Sequence, residues 1–345
     1  MRPLAAPGSI ETLAFVAQIR HAAVRMIGQN LSMLYLDKPG MGLATRVGRL
    51  IVKSSDDEVV YSPASHALHC IILANAGFVT TDALAWLARE HVALLIIRDG
   101  TFLIIVDAPS GRLARRELEF RCRQMECVLS SKRRFAAARS LVVLKLGSLG
   151  FDPSVSSSLS SKLTKARSIE AIMALEAEAG AIYWRTWKGQ KLTFKDGTSL
   201  TFAARARSWR TGRMGETGKQ FSNRFALDPF NAMLNYSGAI IVAQCARACA
   251  GLGLDPAFGI LHSTRPGMRA LAWDVFELLR VRTETAVFGF VASRTFAQTD
   301  FKIVREPKPH IRFEAALARD LAAHVLRRVP FAIVVKTCRT VAGLF

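Results

Sequence analysis

Thr101-Phe102-Leu103-Ile104-Ile105-Val106-Asp107-Ala108-Pro109-Ser110-Gly111-Arg112-Leu113-Ala114-Arg115-Arg116-Glu117-Leu118-Glu119 is where the chain changes character. Before the Ala108-Pro109-Ser110-Gly111 break, apolar residues come in short β-branched runs. After it they recur at helical spacing, with arginine and glutamate between them. Upstream, residues 31–37, 45–52, 58–61 and 70–73 read as strands punctuated by Lys38-Pro39-Gly40, residues 54–57 and Ser62-Pro63. Thr80 or Thr81 caps a helix over 82–91, with Leu84, Leu87 and Ala88 on one face. Residues 92–97 and 101–106 follow as strands joined at Asp99-Gly100, a hairpin signal. Residues 10–27 read as a helix of mixed quality ahead of this domain. The fold expected is therefore α+β: an N-terminal extension over 1–28, a small β domain over 29–109, and a larger all-α domain over 110–345.

The charge follows the same division. Up to Pro109 there are 9 basic and 9 acidic residues, so all of the net +20 lies beyond it, in 38 basic against 18 acidic side chains. Such asymmetry points to a polyanionic partner for the helical half. Residues 112–137 carry Arg115, Arg116, Arg121, Arg123, Lys132, Arg133 and Arg134, either a solvated helix face or a nucleic-acid contact. A serine-rich stretch, 154–161, leads into another helix. Residues 185–224 hold ten Lys or Arg against two acids, with Trp187, Phe194, Trp209 and Phe221 interleaved. Basic and aromatic residues in an irregular segment suit phosphate contact and base stacking, or an exposed loop that orders on binding. Arg185, Arg205, Arg207, Arg210 and Arg213 are the candidate DNA contacts there. The six cysteines show no paired spacing and read as free thiols in a reducing compartment. No apolar run approaches the roughly 20 residues of a membrane span; the best, 237–254, is broken by Gln244 and Arg247. With no convincing secretory signal, a cytoplasmic location without membrane partners is expected.

Three segments place acids or an imidazole where chemistry needs them. On the helix around Ile169, a turn of 100° per residue puts Glu176 near the centre of a stripe with Ile169, Ile172, Met173, Gly180 and Tyr183, while Glu178 falls on the opposite face. A carboxylate in an apolar stripe needs a cation or a proton, supplied by a nearby arginine or by a metal. A second helix, about 268–279, carries Asp274 inside the edge of its apolar stripe and Glu277 one turn on, with Arg280 on the far side toward solvent or phosphate. His262 lies in the loop leading into that helix. One imidazole with carboxylates suits Mn²⁺ or Mg²⁺ better than zinc. The job of such an ion is Lewis-acid polarisation of a phosphate. Between these segments Asp228 caps a helix with Pro229 at its first position and a glycine exit at Gly251 and Gly253; this helix is expected to hold the His262 loop against the acidic one.

At these residues the chain resembles the CRISPR-associated spacer-acquisition endonuclease/integrase family, over roughly residues 31–290. Four blocks carry the resemblance: Leu175-Glu176 with Tyr183-Trp184; Asp228-Pro229-Phe230-Asn231-Ala232-Met233-Leu234-Asn235-Tyr236; Gly253-Leu254-Asp255-Pro256 through Gly259-Ile260-Leu261-His262; and Leu271-Ala272-Trp273-Asp274-Val275-Phe276-Glu277 with Arg280. Thr80-Thr81-Asp82-Ala83-Leu84 before Leu94-Leu95-Ile96-Ile97 adds to it. The resemblance implies Glu176, His262 and Asp274 as metal ligands, Glu277 as an auxiliary catalytic acid, and Tyr183 and Arg280 among the DNA contacts. It implies attack by the 3′-hydroxyl of captured DNA on a phosphodiester at a CRISPR repeat, and cleavage of branched or single-stranded DNA through a metal-held water. It also implies a homodimer joined through the β domains, bridged by the small second CRISPR-associated protein. The chain departs from the family pattern at Ala177 (usually glycine), Ala181 (usually basic) and Gly238 (often tyrosine). Two other readings stand beside it: a transposon-type integrase with the same chemistry, and a non-catalytic DNA-binding homologue.

Overall fold

Val47 and Gly48 both take positive φ, 49° and 71°. They turn the run 45–52, expected as one strand, into a tight hairpin in which Arg46 pairs with Arg49. Positive φ at both central residues matches the right-handed twist of flanking strands, and here Val-Gly supplies it where Asn-Gly would have announced it. The computed structural model describes residues 24–26, 32–36, 38–54, 58–61, 68–74, 77–90, 92–98, 101–106, 115–202, 226, 228–265, 268–304 and 310–345. The chain divides into two compact units, Met1–Gly111 and Arg112–Phe345.

In the first unit, β1 (Val24–Met26), β2 (Ser32–Leu36), β6 (Leu68–Leu73), β8 (Ala93–Arg98) and β9 (Thr101–Val106) form one sheet in the order β1-β2-β6-β8-β9. The pairs β2·β6 and β6·β8 are parallel, whereas β1·β2 and β8·β9 are antiparallel. Val24–Met26, expected to be helical, is thus an edge strand; the rest of 1–28 lies outside the described residues apart from these three. A second sheet runs β5-β4-β3-β7, from β3 (Gly42–Arg46), β4 (Arg49–Lys53), β5 (Glu58–Tyr61) and β7 (Phe78–Val79). Strand alternation sends Leu34, Leu43, Leu50, Ile71 and Leu94 into a single apolar core. Helix α1 (Thr81–Arg89), capped by the Thr80 hydroxyl, adds Ala83, Trp86 and Leu87 to it. The Trp86 indole donates to the Gly48 carbonyl at 2.9 Å, tying α1 to the hairpin turn.

The second unit is mainly helical. Of residues 112–137, read as helical, those from Arg115 on fall in two helices, α2 (Arg115–Leu129) and α3 (Ser131–Ser148), while 112–114 lie outside the described residues. The break is chemical: the Ser130 hydroxyl accepts from the Arg133 amide at 3.3 Å and starts a new helix. The serine-rich stretch is itself helical, within α4 (Pro153–Lys165), because Asp152 caps it and Leu159 and Leu163 are buried. After α5 (Ile169–Thr186) come short strands β10 (Lys191–Phe194) and β11 (Ser199–Thr201). The long α6 (Pro229–Gly251) and α7 (Ala270–Ala292) form the centre, α7 continuing well past the expected end at 279. At Gly238, one of the departures from the family pattern, α6 faces the Phe276 ring of α7: a Cβ there would stand 3.4 Å from that ring, an ordinary van der Waals contact. Strand β12 (Thr295–Phe296) joins β10; β13 (Phe301–Val304) and β14 (His310–Phe313) make a ribbon; α8 (Ala315–Arg328) and α9 (Phe331–Ala342) complete the unit. No helix among the described residues is long and apolar enough to cross a membrane.

Candidate active site

Asp274 and Glu277, one turn apart near the start of α7, are both buried. A buried carboxylate must be compensated, and the two are compensated in different ways. Asp274 is a latch. Its Oδ2 accepts from the backbone amides of Ile260 (2.5 Å) and Leu261 (3.2 Å), and its Oδ1 from the amide of His262 (3.1 Å). Oδ1 also meets the His262 Nδ1 at 2.7 Å. The hydrogen bond fixes the imidazole's orientation and leaves Nε2 as the edge available for chemistry. Burial pulls the His262 pKa down; the hydrogen bond and charge of Asp274, with the charge of Glu277, outweigh it and hold the group above its ordinary value.

The loop that carries His262 is held from outside. Gly259 is pressed so close to the start of α7 that a Cβ would stand 2.6 Å from the His262 carbonyl oxygen and 2.7 Å from Ala270 Cβ. The Gln124 amide on α2 donates to the Asp255 and Phe258 carbonyls, both at 2.8 Å, and its oxygen accepts from the Asp255 amide at 2.8 Å. Arg121 donates to the Gly253 carbonyl at 3.0 Å and Arg134 to that of Ile260 at 2.9 Å. The side chains that grip the loop in these bonds come from α2 and α3; the 228–251 helix that the sequence suggested also takes part, its Cys249 carbonyl accepting from the Leu254 amide at 2.9 Å.

Glu277 sits in an ion cluster. Lys145 on α3 donates to its Oε2 at 2.5 Å, Arg280 Nε donates to the same oxygen at 2.9 Å, and Arg280 Nη2 donates to Oε1. Lys145 also donates to Glu176 Oε1 on α5, and Arg280 reaches Glu284 at 3.3 Å. Burial pushes the Glu277 carboxyl up, but the Arg280 and Lys145 charges overcome it and hold it well below the usual carboxylate range. Helices α3, α5 and α7 thus bring Glu176, Lys145 and Glu277 to one point.

The structure places the remaining candidates as follows. Arg280, expected on the far side toward solvent or phosphate, is turned toward Glu277 and Glu284, two buried acids on its own helix face that need its charge. Tyr183, expected as a DNA contact, is buried with its ring edge against Trp184 and Trp187. Trp187 stacks on Phe288 at 4.0 Å and Phe194 is buried, so these two aromatics serve the core and not base stacking. Arg185 is exposed. Arg205, Arg207, Arg210 and Arg213 lie outside the described residues. Sequence reading missed Lys145 and Gln124. Lys145 had a signal, a lysine inside the apolar run Leu141-Val142-Val143-Leu144-Lys145-Leu146; Gln124, a neutral polar residue among arginines, had none.

Among the described residues, no three His, Cys, Asp or Glu side chains are gathered closely enough to hold a metal. The donor chemistry nonetheless fits a hard divalent cation. Glu176 and Glu277, on different helices, already share one cation, the Lys145 ammonium. The charge of Glu277 acts on His262, whose Nδ1 is fixed. Two carboxylates and one imidazole nitrogen suit Mn²⁺ or Mg²⁺.

Comparison with known proteins agrees with this architecture. The family model described as CRISPR associated protein Cas1 matches residues 34–149 and 154–325. A CRISPR-associated endonuclease Cas1 of Rhodospirillum rubrum is 25% identical over 291 residues, which cover 79% of each chain. Two solved structures share the fold, each with a TM-score of 0.69. One is a Cas1 protein from Thermotoga maritima, 13% identical over 90% of this chain and 96% of that one. The other is a casposase bound to its integration product, 19% identical over 90% of both chains. With the family model spanning most of its length, and an N-terminal β unit followed by a mainly helical one, this chain belongs to the Cas1 family of CRISPR-associated proteins.

Proposed function

We propose that this chain is a divalent-metal-dependent DNA endonuclease and integrase of CRISPR adaptation, which joins captured DNA to a repeat. The observation that carries the reading is the meeting of Glu176 and Glu277 around one cation, with a latched imidazole nearby. Glu176, His262 and Glu277 are the ligands we assign. Asp274, first expected as a ligand, has both oxygens engaged by three backbone amides and Nδ1, so we give it the task of orienting His262. When bound, Mn²⁺ or Mg²⁺ supplies Lewis-acid polarisation of the scissile phosphate.

The chain's own groups do the rest. Asp274 sets the tautomer and aim of His262. Arg280 keeps both Glu277 oxygens in place from one side. The excess of 38 basic over 18 acidic residues beyond Pro109 draws the DNA backbone in. In the joining reaction, a 3′-hydroxyl of the captured strand forms one phosphate ester bond as the target strand's own ester bond breaks. The attacking hydroxyl gives up a proton and the departing 3′-oxygen gains one, so hydrolysis and joining differ only in the nucleophile. DNA, a second copy of the chain and the small second CRISPR-associated protein are the partners we infer, in the cytoplasm.

Strand transfer tests this. Protein, a short duplex with free 3′-hydroxyls, a supercoiled plasmid carrying a CRISPR array and Mn²⁺ are mixed, with and without the partner protein. Covalent joining that is lost in chelator, in Glu176→Ala and in His262→Ala is the expected result. DNA binding without joining, identical in the variants, would move the assignment to a non-catalytic homologue. Joining of mobile-element ends in preference to CRISPR substrates would move it to a transposon-type integrase, a reading the shared casposase fold keeps in view.

A further inference from the structure

The Lys145 side chain is nearly fully buried, on the same helix as buried Leu141, Val142 and Leu146. An ammonium so placed is costly unless carboxylates compensate it. It bridges two acids from different helices, Glu176 on α5 and Glu277 on α7. The two are not equally dependent on it. Glu277 also has Arg280 on both oxygens, whereas Lys145 is the group that hydrogen-bonds Glu176 among the described residues.

We infer that Lys145 is a resident counter-cation of the metal site: a positioning residue that holds Glu176 and Glu277 together in the metal-free protein and competes with a divalent ion for their oxygens. The inference rests on the metal reading above. A divalent ion held by Glu176 and Glu277 would meet the ammonium that already bridges them, and like charges so close repel strongly in a buried site. Metal binding must therefore displace the ammonium or tolerate it. Lys145 lowers divalent affinity and in exchange keeps the empty site from flying apart. A plain structural strut behaves oppositely: its loss scatters the ligands and weakens metal binding.

The test uses the full chain, with Mn²⁺ as the probe, followed by isothermal titration and by the Mn²⁺-dependent rise in Tm. Wild type should bind Mn²⁺, and Glu277→Gln should abolish binding. Absence of Mn²⁺ binding in wild type removes the metal reading itself, independently of any lysine variant, and takes the inference with it. Given binding, Lys145→Met should lower Tm without metal and bind Mn²⁺ about tenfold more tightly, through the release of one competing charge. Its metal-induced rise in Tm should accordingly exceed that of wild type. Binding that is unchanged or weaker in Lys145→Met overturns the inference and leaves a strut. If Lys145→Met does not fold without metal, recovery of the fold on adding Mn²⁺ supports the inference. Failure of Mn²⁺ to restore the fold overturns it, whether or not the second substitution Glu277→Gln does, since relief by the glutamine alone is what a plain strut gives.

Discussion

The two sides of the site treat a buried carboxylate in opposite ways. On one side Asp274 spends its oxygens on three amides and an imidazole, all of them fixed by the fold. On the other, Glu277 is held by Lys145 and Arg280, whose long side chains can move. A backbone amide cannot be exchanged for another partner without unlatching the loop; an ammonium can be exchanged for a metal ion. One turn of α7 thus separates an acid that builds the site from an acid that can work in it. The fully latched acid is the poorer candidate for a ligand even though it is the more deeply buried.

The largest effect should come from breaking the latch. Asp274→Ala leaves the amides of Ile260, Leu261 and His262 without their acceptor. At about 1–3 kcal/mol for each buried unpaired donor, the loss of stability is on the order of 5 kcal/mol, with strand transfer abolished. Urea unfolding measures it, and a stable, fully active Asp274→Ala protein would dissolve the contrast between the two acids. Glu277→Gln should cost less stability, on the order of 2–3 kcal/mol, because the amide oxygen still accepts from Arg280 or Lys145. Its effect on function should be as complete, since stabilisation by Mn²⁺ disappears. The pair of variants sharpens the comparison: one breaks fold and function together, the other mostly function.

How much of this was legible beforehand follows the same division. The change from β to helix between Val106 and Arg115, the Thr80 and Asp228 caps and the anomalous placing of Glu176 and Asp274 are local signals, written in spacing and in cap chemistry. The Val47-Gly48 turn was hidden because valine is the wrong residue to advertise positive φ. Trp187 was misread because an aromatic looks alike in a sequence whether it stacks on a base or on Phe288. The bridge from Lys145 to Glu176 and Glu277 spans three helices and has no period to find. Nor does the grip of Gln124 on a loop 131 residues away, where only the folded chain brings donor and carbonyl together.

That grip gives the next effect down. Gln124→Leu keeps the volume and removes the partner of the Asp255 and Phe258 carbonyls and of the Asp255 amide; because these groups are only half-buried and water can replace much of the loss, the total cost is about 1–3 kcal/mol. Because the loop still has Arg121, Arg134 and the Asp274 latch, joining should slow by about 10–100-fold, the range for groups that orient a ligand. The loss should fall on kcat, with DNA binding unchanged, as single-turnover joining against DNA titration will show. Equal losses in DNA affinity and rate would mean that α2 acts on DNA directly.

The smallest effect is the dependence of the latch on pH in the metal-free protein. His262 is held above its ordinary value of 6.5, burial notwithstanding, by Asp274 and Glu277. A group whose pKa rises on folding binds its proton more tightly in the folded state. Its contribution to stability is therefore present in full below the ordinary value and fades as pH climbs through the raised one. Metal binding must run the other way, because a ligand imidazole gives up that proton, so Mn²⁺ affinity should increase over the same interval. Proton NMR of the His262 ring reads the first trend directly. In Asp274→Asn the charge is gone while the burial stays, so the titration should move down, below that of wild type. If it stays where it is, Asp274 does not govern the imidazole, and the division of labour between the two acids of α7 fails at its weakest joint.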